Sequence, residues 1–286
     1  MHKIAAIGEI LWDKFPDGKI LGGAPTNFAL FSKYLGNEAT VISAIGDDEQ
    51  GREMLAILQS WQINTDLLQL RPDYATGEVN VTVDKNGIPH YQIIENRACD
   101  HIQYLPAMDA CSEAFDAISF GSLSGRSQES KETIFKFLSQ LSSRCLKACD
   151  LNIRKNYYNK DLIVALLEIS QIFKINENEK ALLEQILKIK MDTPNQILQL
   201  MKKYDLKAMI ITRGEIDSEI ITLDEYSSMP SKTVEVVDTV GAGDSFLAAF
   251  VDGYLKNLPL SQIHRQAVEL SAEVCRHKGA TGIFSK

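Results

Sequence analysis

Strand-like and helix-like segments alternate through most of this 286-residue chain. Short apolar and β-branched runs, such as Lys3–Gly8 and Lys207–Thr212, are followed by longer stretches with the apolar spacing of helices, such as Arg52–Trp61 and Gln128–Leu141. Such alternation is typical of a mainly parallel sheet that is covered by helices on both faces. The sequence therefore predicts a single α/β domain over residues 1–286.

One region breaks this alternation. Glu78–Asp84 alternates strictly between polar and apolar residues, Asn86-Gly87 is typical of a two-residue hairpin turn, and His90–Glu95 supplies a second strand. A further segment, residues 10–20, carries a turn signal of its own. We expect it to join residues 76–97 in a small β layer that acts as a lid over a site at the strand ends.

Composition excludes several classes of protein. Thirty basic against 38 acidic residues give a formal net charge of −8, which argues against a nucleic-acid partner. No apolar run approaches the roughly 18 residues that a membrane span needs, and the N-terminus is too short for a signal peptide. The cysteines lack zinc-ligand spacing, so free thiols in a reducing cytoplasm are expected: Cys99, Cys111, Cys145, Cys149 and Cys275.

A glycine-rich turn near the C-terminus carries the strongest chemical signal. Gly241 and Gly243 precede a helical pattern, and the β-branched run Thr233–Val237 before them predicts a buried strand. A turn at a helix N-terminus presents free amide groups and the positive end of the helix dipole, which attract anions. The charge of Asp244 would repel a phosphate there, unless this carboxylate accepts a proton from the attacking nucleophile. An N-cap Asp after a glycine turn is the alternative.

Two motifs carry a family resemblance. The run Asp238-Thr239-Val240-Gly241-Ala242-Gly243-Asp244 resembles the D-T-x-G-A-G-D signature of the PfkB family of ribokinase-like carbohydrate kinases. Gly22-Gly23-Ala24-Pro25-Thr26-Asn27 resembles the G-G-x-x-x-N segment of that family. The resemblance covers nearly the whole chain and implies a ribokinase-like three-layer α/β fold with a small β lid. It also implies ATP-dependent phosphorylation of a sugar.

The resemblance implies roles for individual residues. Asp244 would be the catalytic base, the amides of Ala242, Gly243 and Asp244 would hold the charge on the transferred phosphoryl group, and Gly241 would complete the catalytic turn. Gly8-Glu9-Ile10-Leu11-Trp12-Asp13 resembles the G-E-x-L-x-D pattern of fructokinase-like members, and a carboxylate at Asp13 can accept two hydrogen bonds from neighbouring hydroxyls. Asp150–Arg154 resembles D-x-N-x-R, and Gly121–Leu123 with Arg126 resembles a segment of bacterial fructokinases. The implied sugar-binding residues are Asp13, Gly22, Gly23, Asn27, Arg97, Asp100 and Arg154.

A second group of residues is expected at the nucleotide. Asn176–Glu179 resembles N-x-x-E, which implies that Glu179 organises Mg²⁺ through water, although an Asn cap with Glu three residues later is also a capping box. Thr212–Glu215 resembles a T-x-G-E turn, but Asp217 replaces the glycine that is usual two residues after the Glu. The implied nucleotide-binding residues are Asn176, Thr212, Gly214, Glu215, Gly279 and Ala280. The implied cofactors are ATP and Mg²⁺, and a requirement for a monovalent cation such as K⁺ stays open.

We predict a cytoplasmic, fructokinase-like sugar kinase. The alternatives are a kinase for ribose, a deoxy sugar acid or a nucleoside, and a catalytically silent relative that binds sugar or nucleotide. A dinucleotide-dependent oxidoreductase is less favoured, because no G-x-G-x-x-G follows the first strand. Exposed hairpin edges favour a homodimer in which two lids pair.

Overall fold

The computed structural model describes residues 1–83 and 89–284, so the predicted Asn86-Gly87 turn lies outside the described residues. Within them the chain forms thirteen strands: β1 Lys3–Ile7, β2 Leu11–Phe15, β3 Gly18–Gly22, β4 Glu38–Gly46, β5 Leu68–Arg71, β6 Glu78–Val83, β7 Pro89–Ile93, β8 Ala117–Gly121, β9 Leu146–Asp150, β10 Ile172–Asn176, β11 Ala208–Thr212, β12 Asp217–Thr222 and β13 Tyr226–Pro230. The same residues form nine α-helices: α1 Ala24–Tyr34, α2 Glu49–Ser60, α3 Pro106–Ala110, α4 Gln128–Gln140, α5 Lys160–Ile169, α6 Glu177–Leu187, α7 Pro194–Lys203, α8 Ala242–Leu255 and α9 Leu260–Val274. Short 3₁₀ helices lie at Ala98–Asp100, Leu123–Arg126 and Gly282–Phe284.

The larger sheet has nine strands in the order β13-β12-β11-β10-β9-β8-β1-β4-β5. Its seven strands from β11 to β5 pair in parallel, whereas β12 and β13 add antiparallel at one edge. Parallel strands are joined by helical crossovers, so the sheet is buried on both faces. The predicted mainly parallel sheet is confirmed.

Alternate residues of each central strand enter two different cores. In β1, Ile4 and Ala6 pack with α1, α2, α8 and α9, while Ala5 and Ile7 pack with helices α3 to α7. This follows from the two-residue period of a strand, which sends successive side chains to opposite faces. The result is the predicted three-layer arrangement of helices, sheet and helices.

The smaller sheet has four strands in the order β3-β2-β6-β7. It joins residues 11–22 to residues 78–83 and 89–93, as the sequence predicts for the lid segments. One face of this sheet carries a small apolar cluster that includes Leu11, Val79 and Val81. That these segments act as a mobile lid stays a prediction.

Two strand predictions are wrong in detail. Thr233–Val237 is not a strand: the chain has left the sheet after β13, and the Val237 side chain is 61% exposed. The backbone there donates to the Cys275 carbonyl rather than to a neighbouring strand. The strand predicted over Ala148–Ile153 ends at Asp150, since Asn152 adopts a left-handed conformation with φ 41° that a strand does not accommodate.

The antiparallel pair β12–β13 was not predicted, because its alternation of exposed and buried residues includes few strongly apolar side chains. The five cysteines are all free. Among residues 1–83 and 89–284, no helix has both the length and the apolar character needed to cross a bilayer.

Candidate active site

The glycine turn begins helix α8, as predicted, although no strand leads into it. Gly241 is the N-cap and adopts a left-handed φ of 84°, which a non-glycine residue would adopt only with strain. A Cβ at this position would also lie 2.5 Å from the Cβ of Ala280, so the C-terminal segment packs directly on the turn. The first amides of α8 therefore face outward at a helix N-terminus, which is the geometry of an anion site.

Asp244 lies in the first turn of α8 and contacts α1. Its Oδ2 accepts a hydrogen bond of 2.8 Å from Nδ2 of Asn27. Burial, and then the negative charge of Asp150, raise the pKa of Asp244, whereas the Asn27 hydrogen bond and the positive charges of Lys174 and Arg154 oppose the rise, and the resulting pKa is about 7. The carboxyl group is therefore suited to exchange a proton near neutral pH.

Asp150 and Lys174 lie close to Asp244, and Glu179 lies close to Asp150 and Lys174. Nζ of Lys174, which is 4% exposed, donates to Oδ2 of Asp150 at 2.8 Å. Burial alone would lower the pKa of Lys174, but Asp150, Glu179 and Asp244 outweigh it and the pKa is raised. Burial, and then the charge of Asp150, raise the pKa of Glu179. This cluster of three carboxylates and one ammonium is named here the acidic cluster.

Glu179 forms the capping box that its spacing predicts. Its Oε2 accepts from the Asn176 amide at 2.8 Å, and Oδ1 of Asn176 accepts from the Glu179 amide at 3.0 Å. Its Oε1 accepts from the Ile153 amide at 2.7 Å. Both oxygens of the Glu179 carboxylate thus accept from backbone amides, and these amides orient the carboxylate at the ends of β9 and β10.

The predicted sugar-binding glycines lie against acidic residues. At Gly22 a Cβ would collide with the Asp13 carboxylate, and at Gly23, where φ is 105°, it would collide with the Glu9 carbonyl. Strand β2 carries Asp13, which pairs in register with Ile20 and Val79 in the lid sheet. Burial raises the pKa of Asp13 to about 6, with Arg154 opposing and Asp238 adding to the rise. The absence of a side chain at Gly22 gives Asp13 its position.

Arg97 and Asp100 lie in ion pairs at the base of the lid sheet. Nη2 of Arg97 donates to Glu78 at 2.6 Å. Asp100 is 5% exposed, and its two carboxylate oxygens accept hydrogen bonds of 2.6 and 2.8 Å from Nε and Nη2 of Arg126. Both Asp100 carboxylate oxygens are therefore engaged by Arg126, and the role of Asp100 at the sugar stays a prediction. Arg154, in contrast, is exposed, and its charge acts on both Asp13 and Asp244.

The predicted nucleotide residues lie in two places. Thr212, Gly214 and Glu215 form the turn between β11 and β12, and Gly214 adopts a φ of 53°. Asp217 begins β12 and accepts from Nη1 of Arg213 at 2.7 Å, so it needs no left-handed conformation to replace the usual glycine.

The C-terminal segment approaches the glycine turn from the other side. The Gly279 amide donates to Oδ2 of Asp238 at 2.9 Å, and Ala280 packs on Gly241 as described. Lys278 pairs with Asp17 of the β2–β3 hairpin at 2.7 Å. The expected nucleotide segment therefore contacts both the signature run and the lid sheet.

Three residues near the site were missed by the sequence reasoning. Lys174 carried a signal, since a lysine inside the apolar run Ile172–Ile175 must be paired if the strand is buried. Glu9 is 4% exposed, and its carboxylate accepts a hydrogen bond of 2.5 Å from the Ser124 hydroxyl. Tyr91 lies opposite Val81 in the lid sheet, and burial and then the charges of Asp238 and Asp13 raise its pKa.

Comparison with known proteins gives a consistent result. A family model described as "pfkB family carbohydrate kinase" matches residues 17–286. The chain is 27% identical to an ATP-dependent 6-phosphofructokinase of Thermoanaerobacterium thermosaccharolyticum, over 92% of this chain and 81% of that protein. It is 26% identical to a fructokinase of Klebsiella pneumoniae, over 88% of this chain and 84% of that protein.

Solved structures agree in fold. An uncharacterized sugar kinase of Pyrococcus horikoshii, also solved in complex with ATP, superposes with a TM-score of 0.82 at 25% identity, over 97% of this chain and 93% of that one. A fructokinase of Xylella fastidiosa with bound ATP superposes with a TM-score of 0.85 at 19% identity, over 97% and 93%. The fold is therefore that of the ribokinase-like α/β proteins. The chain belongs to the PfkB family of carbohydrate kinases, and by class it is a sugar kinase.

Proposed function

We propose that this protein transfers the γ-phosphoryl group of ATP to a hydroxymethyl group of a monosaccharide, with fructose as the favoured acceptor. The observation that carries the proposal is the Asp244 carboxyl group, held by Asn27 beside the glycine turn with a pKa raised to about 7. A base whose pKa is close to the ambient pH combines a large ionised fraction with sufficient basicity.

The proposed reaction is a direct displacement. Asp244 accepts the proton of the sugar hydroxyl while that oxygen bonds to the γ-phosphorus, and the bond to the bridging oxygen of ADP breaks. The amides of Ala242, Gly243 and Asp244 hold the negative charge on the transferred group at the N-terminus of α8. Asp13 and the backbone at Gly22 and Gly23 orient the sugar, so that most of the catalytic effect is positioning and charge stabilisation.

Negative charge is concentrated in the acidic cluster. Asp150, Glu179 and Asp244 supply three carboxylates, and Lys174 supplies one opposing charge. We propose that Glu179 holds Mg²⁺ through water at this place. Among the described residues, no group of three or more His, Cys, Asp or Glu side chains is placed to hold a metal ion directly. When bound, Mg²⁺ would neutralise charge on the ATP phosphates. A K⁺ requirement is tested by comparing activity in potassium and tetramethylammonium salts.

A second acceptor class is favoured by one observation. Arg154 is exposed, and no ion pair or side-chain hydrogen bond engages it within residues 1–83 and 89–284. A guanidinium in that state can bind a phosphate or carboxylate in a bidentate manner. A phosphorylated hexose or a sugar acid is therefore the second candidate acceptor, and the name of the 6-phosphofructokinase relative agrees with it.

An acceptor panel tests these proposals. Fructose, fructose 6-phosphate, ribose, a deoxy sugar acid and a nucleoside are each incubated with ATP and Mg²⁺, and ADP release is measured. If kcat/KM is highest with fructose, the favoured assignment is supported. Arg154→Ala should then lower kcat/KM less for fructose than for fructose 6-phosphate. Sugar or nucleotide binding without ADP release for any acceptor would favour a catalytically silent relative.

We further propose a cytoplasmic homodimer. The free edge strands β3 and β7 of the lid sheet offer unpaired backbone groups to a second copy. Light scattering across a concentration series tests the dimer, and a monomer at the highest concentration would contradict it. The free thiols agree with a reducing compartment.

A further inference from the structure

Residues 279–284, named here the strap, pack against the glycine turn that begins α8. Ala280 is 1% exposed, and a Cβ at Gly241 would lie 2.5 Å from the Cβ of Ala280. The same Cβ would lie 3.4 Å from Cε2 of Phe31 on α1. The left-handed N-cap of α8 is thus in contact with both the strap and α1, so its conformation depends on where the strap lies.

Phe284, at the far end of the strap, lies among three aromatic rings. Its ring centroid is 5.3 Å from that of Trp61 at the end of α2, and 5.8 Å from those of Phe31 and Tyr34 on α1. The rings meet Phe284 in tilted or edge-on orientations, which are favourable for aromatic pairs. These contacts anchor the strap on the two helices.

Between this anchor and Ala280 the strap is closed by its own hydrogen bonds. The Phe284 amide donates to the Thr281 carbonyl at 3.0 Å. The Gly282 amide donates to the Gly279 carbonyl at 3.3 Å. Energetic coupling is carried by contiguous hydrogen-bonded and packed groups, so the position of Phe284 is coupled to that of Ala280.

Phe31 connects the aromatic anchor to the face of α1 that carries Asn27. The two residues are four positions apart, and residues at that spacing share one face of a helix. Asn27 holds Asp244 through its hydrogen bond. Phe31 contacts Phe284 and lies next to Gly241. One stripe of α1 therefore contacts the proposed base, the glycine turn and the anchor of the strap.

We propose that Phe284 is a positioning residue for phosphoryl transfer: its aromatic anchor holds Ala280 against Gly241, so that the first amides of α8 point toward the transferred group. The inference rests on the proposed function, which assigns those amides to that reaction. Phe284 acts only through the turn and takes no part in the chemical step. Charge stabilisation by fixed amides is sensitive to their placement, so an anchor outside the site contributes to the rate.

Phe284→Ala should lower kcat, measured with whichever acceptor is phosphorylated. A misplacement of about 1 Å costs up to about 100-fold, so a fall of about 10- to 100-fold is expected. The sugar KM should change little, because Asp13 is carried by β2 of the lid sheet. Phe284→Leu keeps most of the apolar volume and should restore most of kcat. Phe135→Ala is the matched control, since Phe135 is a partly buried phenylalanine of α4 that packs on the other core.

Amide hydrogen exchange of the protein without ligands measures the turn itself. The amides of Val240, Ala242 and Ser245 donate hydrogen bonds within the turn, and opening of the turn exposes them to solvent. Their exchange should be faster in Phe284→Ala than in wild type, and unchanged in Phe135→Ala.

Faster exchange of the turn, together with a fall in kcat that Phe284→Leu reverses, would support the inference. Exchange equal to that of wild type would overturn it, and so would active Phe284→Ala enzyme with an unchanged kcat; both results leave the proposed function standing. If no acceptor is phosphorylated, the proposed function fails, and the exchange result still decides whether Phe284 holds the turn.

Tyr34→Ala covers the case in which Phe284→Ala does not fold. Tyr34 is 51% exposed, so the fold should tolerate its loss, and the variant removes one of the three rings that contact Phe284. Exchange of the turn should be faster than in wild type, by less than Phe284→Ala would cause. Exchange equal to that of wild type in Tyr34→Ala would then overturn the inference.

Discussion

Asn27 and Asp244 are 217 residues apart in the sequence, and their side chains are joined by a hydrogen bond of 2.8 Å from Nδ2 to Oδ2. Asn27 is 3% exposed, and its Oδ1 is buried without a hydrogen-bond partner among the described residues. A buried amide oxygen without a partner is costly, so it is a suitable acceptor for a sugar hydroxyl. One side chain thus holds the proposed base and offers an acceptor beside it.

Asn27→Ala should impair the base and the sugar site together. Loss of the donor disfavours ionised Asp244, so kcat near pH 6.5 should fall by about 10-fold and recover in part at pH 9, while the sugar KM rises at both values. Ser32→Ala is the control, because Ser32 lies on the same helix and its hydroxyl donates to the Phe28 carbonyl. An unchanged kcat–pH profile in Asn27→Ala would contradict the functional importance of the bond.

Asp244→Asn should nearly abolish turnover while the fold is kept. Asn caps a helix about as well as Asp but cannot accept the proton, so kcat should fall on the order of 10²- to 10⁴-fold with ATP affinity little changed. Steady-state kinetics and calorimetry measure the two quantities. Asp161→Asn, an exposed first-turn aspartate of α5, is the control. More than about a tenth of wild-type kcat in the folded variant would exclude a general-base role.

Asp13→Ala should weaken sugar binding. The loss of a charged hydrogen-bond partner costs about 1.5–3 kcal/mol, or roughly 10- to 150-fold in the sugar KM, and the ATP KM should stay nearly constant. The carboxylate has a pKa of about 6, so sugar affinity in wild type should also fall as the pH drops through 6 and this acceptor is protonated. Asp13→Ala should lack that pH dependence. A sugar KM equal to that of wild type would remove Asp13 from the site.

His264 should make the fold less stable in acid. It lies on α9 and is fully buried against β12 and β13, with Ser218 and Ser227 each 2.8 Å from one ring nitrogen, and burial lowers its pKa to about 4. The pKa of His264 is about 6.5 in the unfolded chain and about 4 in the folded chain. The contribution of neutral His264 to the free energy of unfolding is therefore complete above pH 6.5, and it declines as the pH falls toward 4. At pH 5 the loss is about 2 kcal/mol.

Urea unfolding of wild type and His264→Gln at pH 7.5 and pH 5 isolates that contribution, because the other titrating groups are common to both proteins. The stability advantage of wild type should shrink by about 2 kcal/mol at the lower pH. An advantage that is independent of pH would show that His264 binds a proton equally in both states.

The lid sheet should open more readily than the main sheet. Its apolar cluster contains five buried residues, far fewer than either core that packs on the nine-stranded sheet. In the sugar-free protein, amide hydrogen exchange in β6 (Glu78–Val83) should be faster than in β4 (Glu38–Gly46), and sugar should slow it. Equal protection of the two strands would argue against a lid.

Some elements of the fold could be predicted from the sequence, and others could not. The glycine turn, the α1 segment and the capping box at Asn176 were predicted with their neighbours, because each depends on a few adjacent residues. The buried strand predicted over Thr233–Val237 is wrong, because a β-branched pattern does not show whether a sheet edge is available to that segment. Asp100 is predicted to bind the sugar, and its bidentate pair with Arg126, 26 residues away, could not be predicted from the neighbours of either residue.

The sequence by itself determined most of the order of strands and helices, the two glycine turns, and the family, because periodicity and turn chemistry act over a few residues and the signature motifs are contiguous. The tertiary structure alone decided which charges meet. Lys174, Asp150, Asp244 and Asn27 come from four elements, and their proton affinities depend on distances and burial that arise only when the sheet and helices pack. Electrostatic coupling grows as water is excluded, so it exists only in the folded chain.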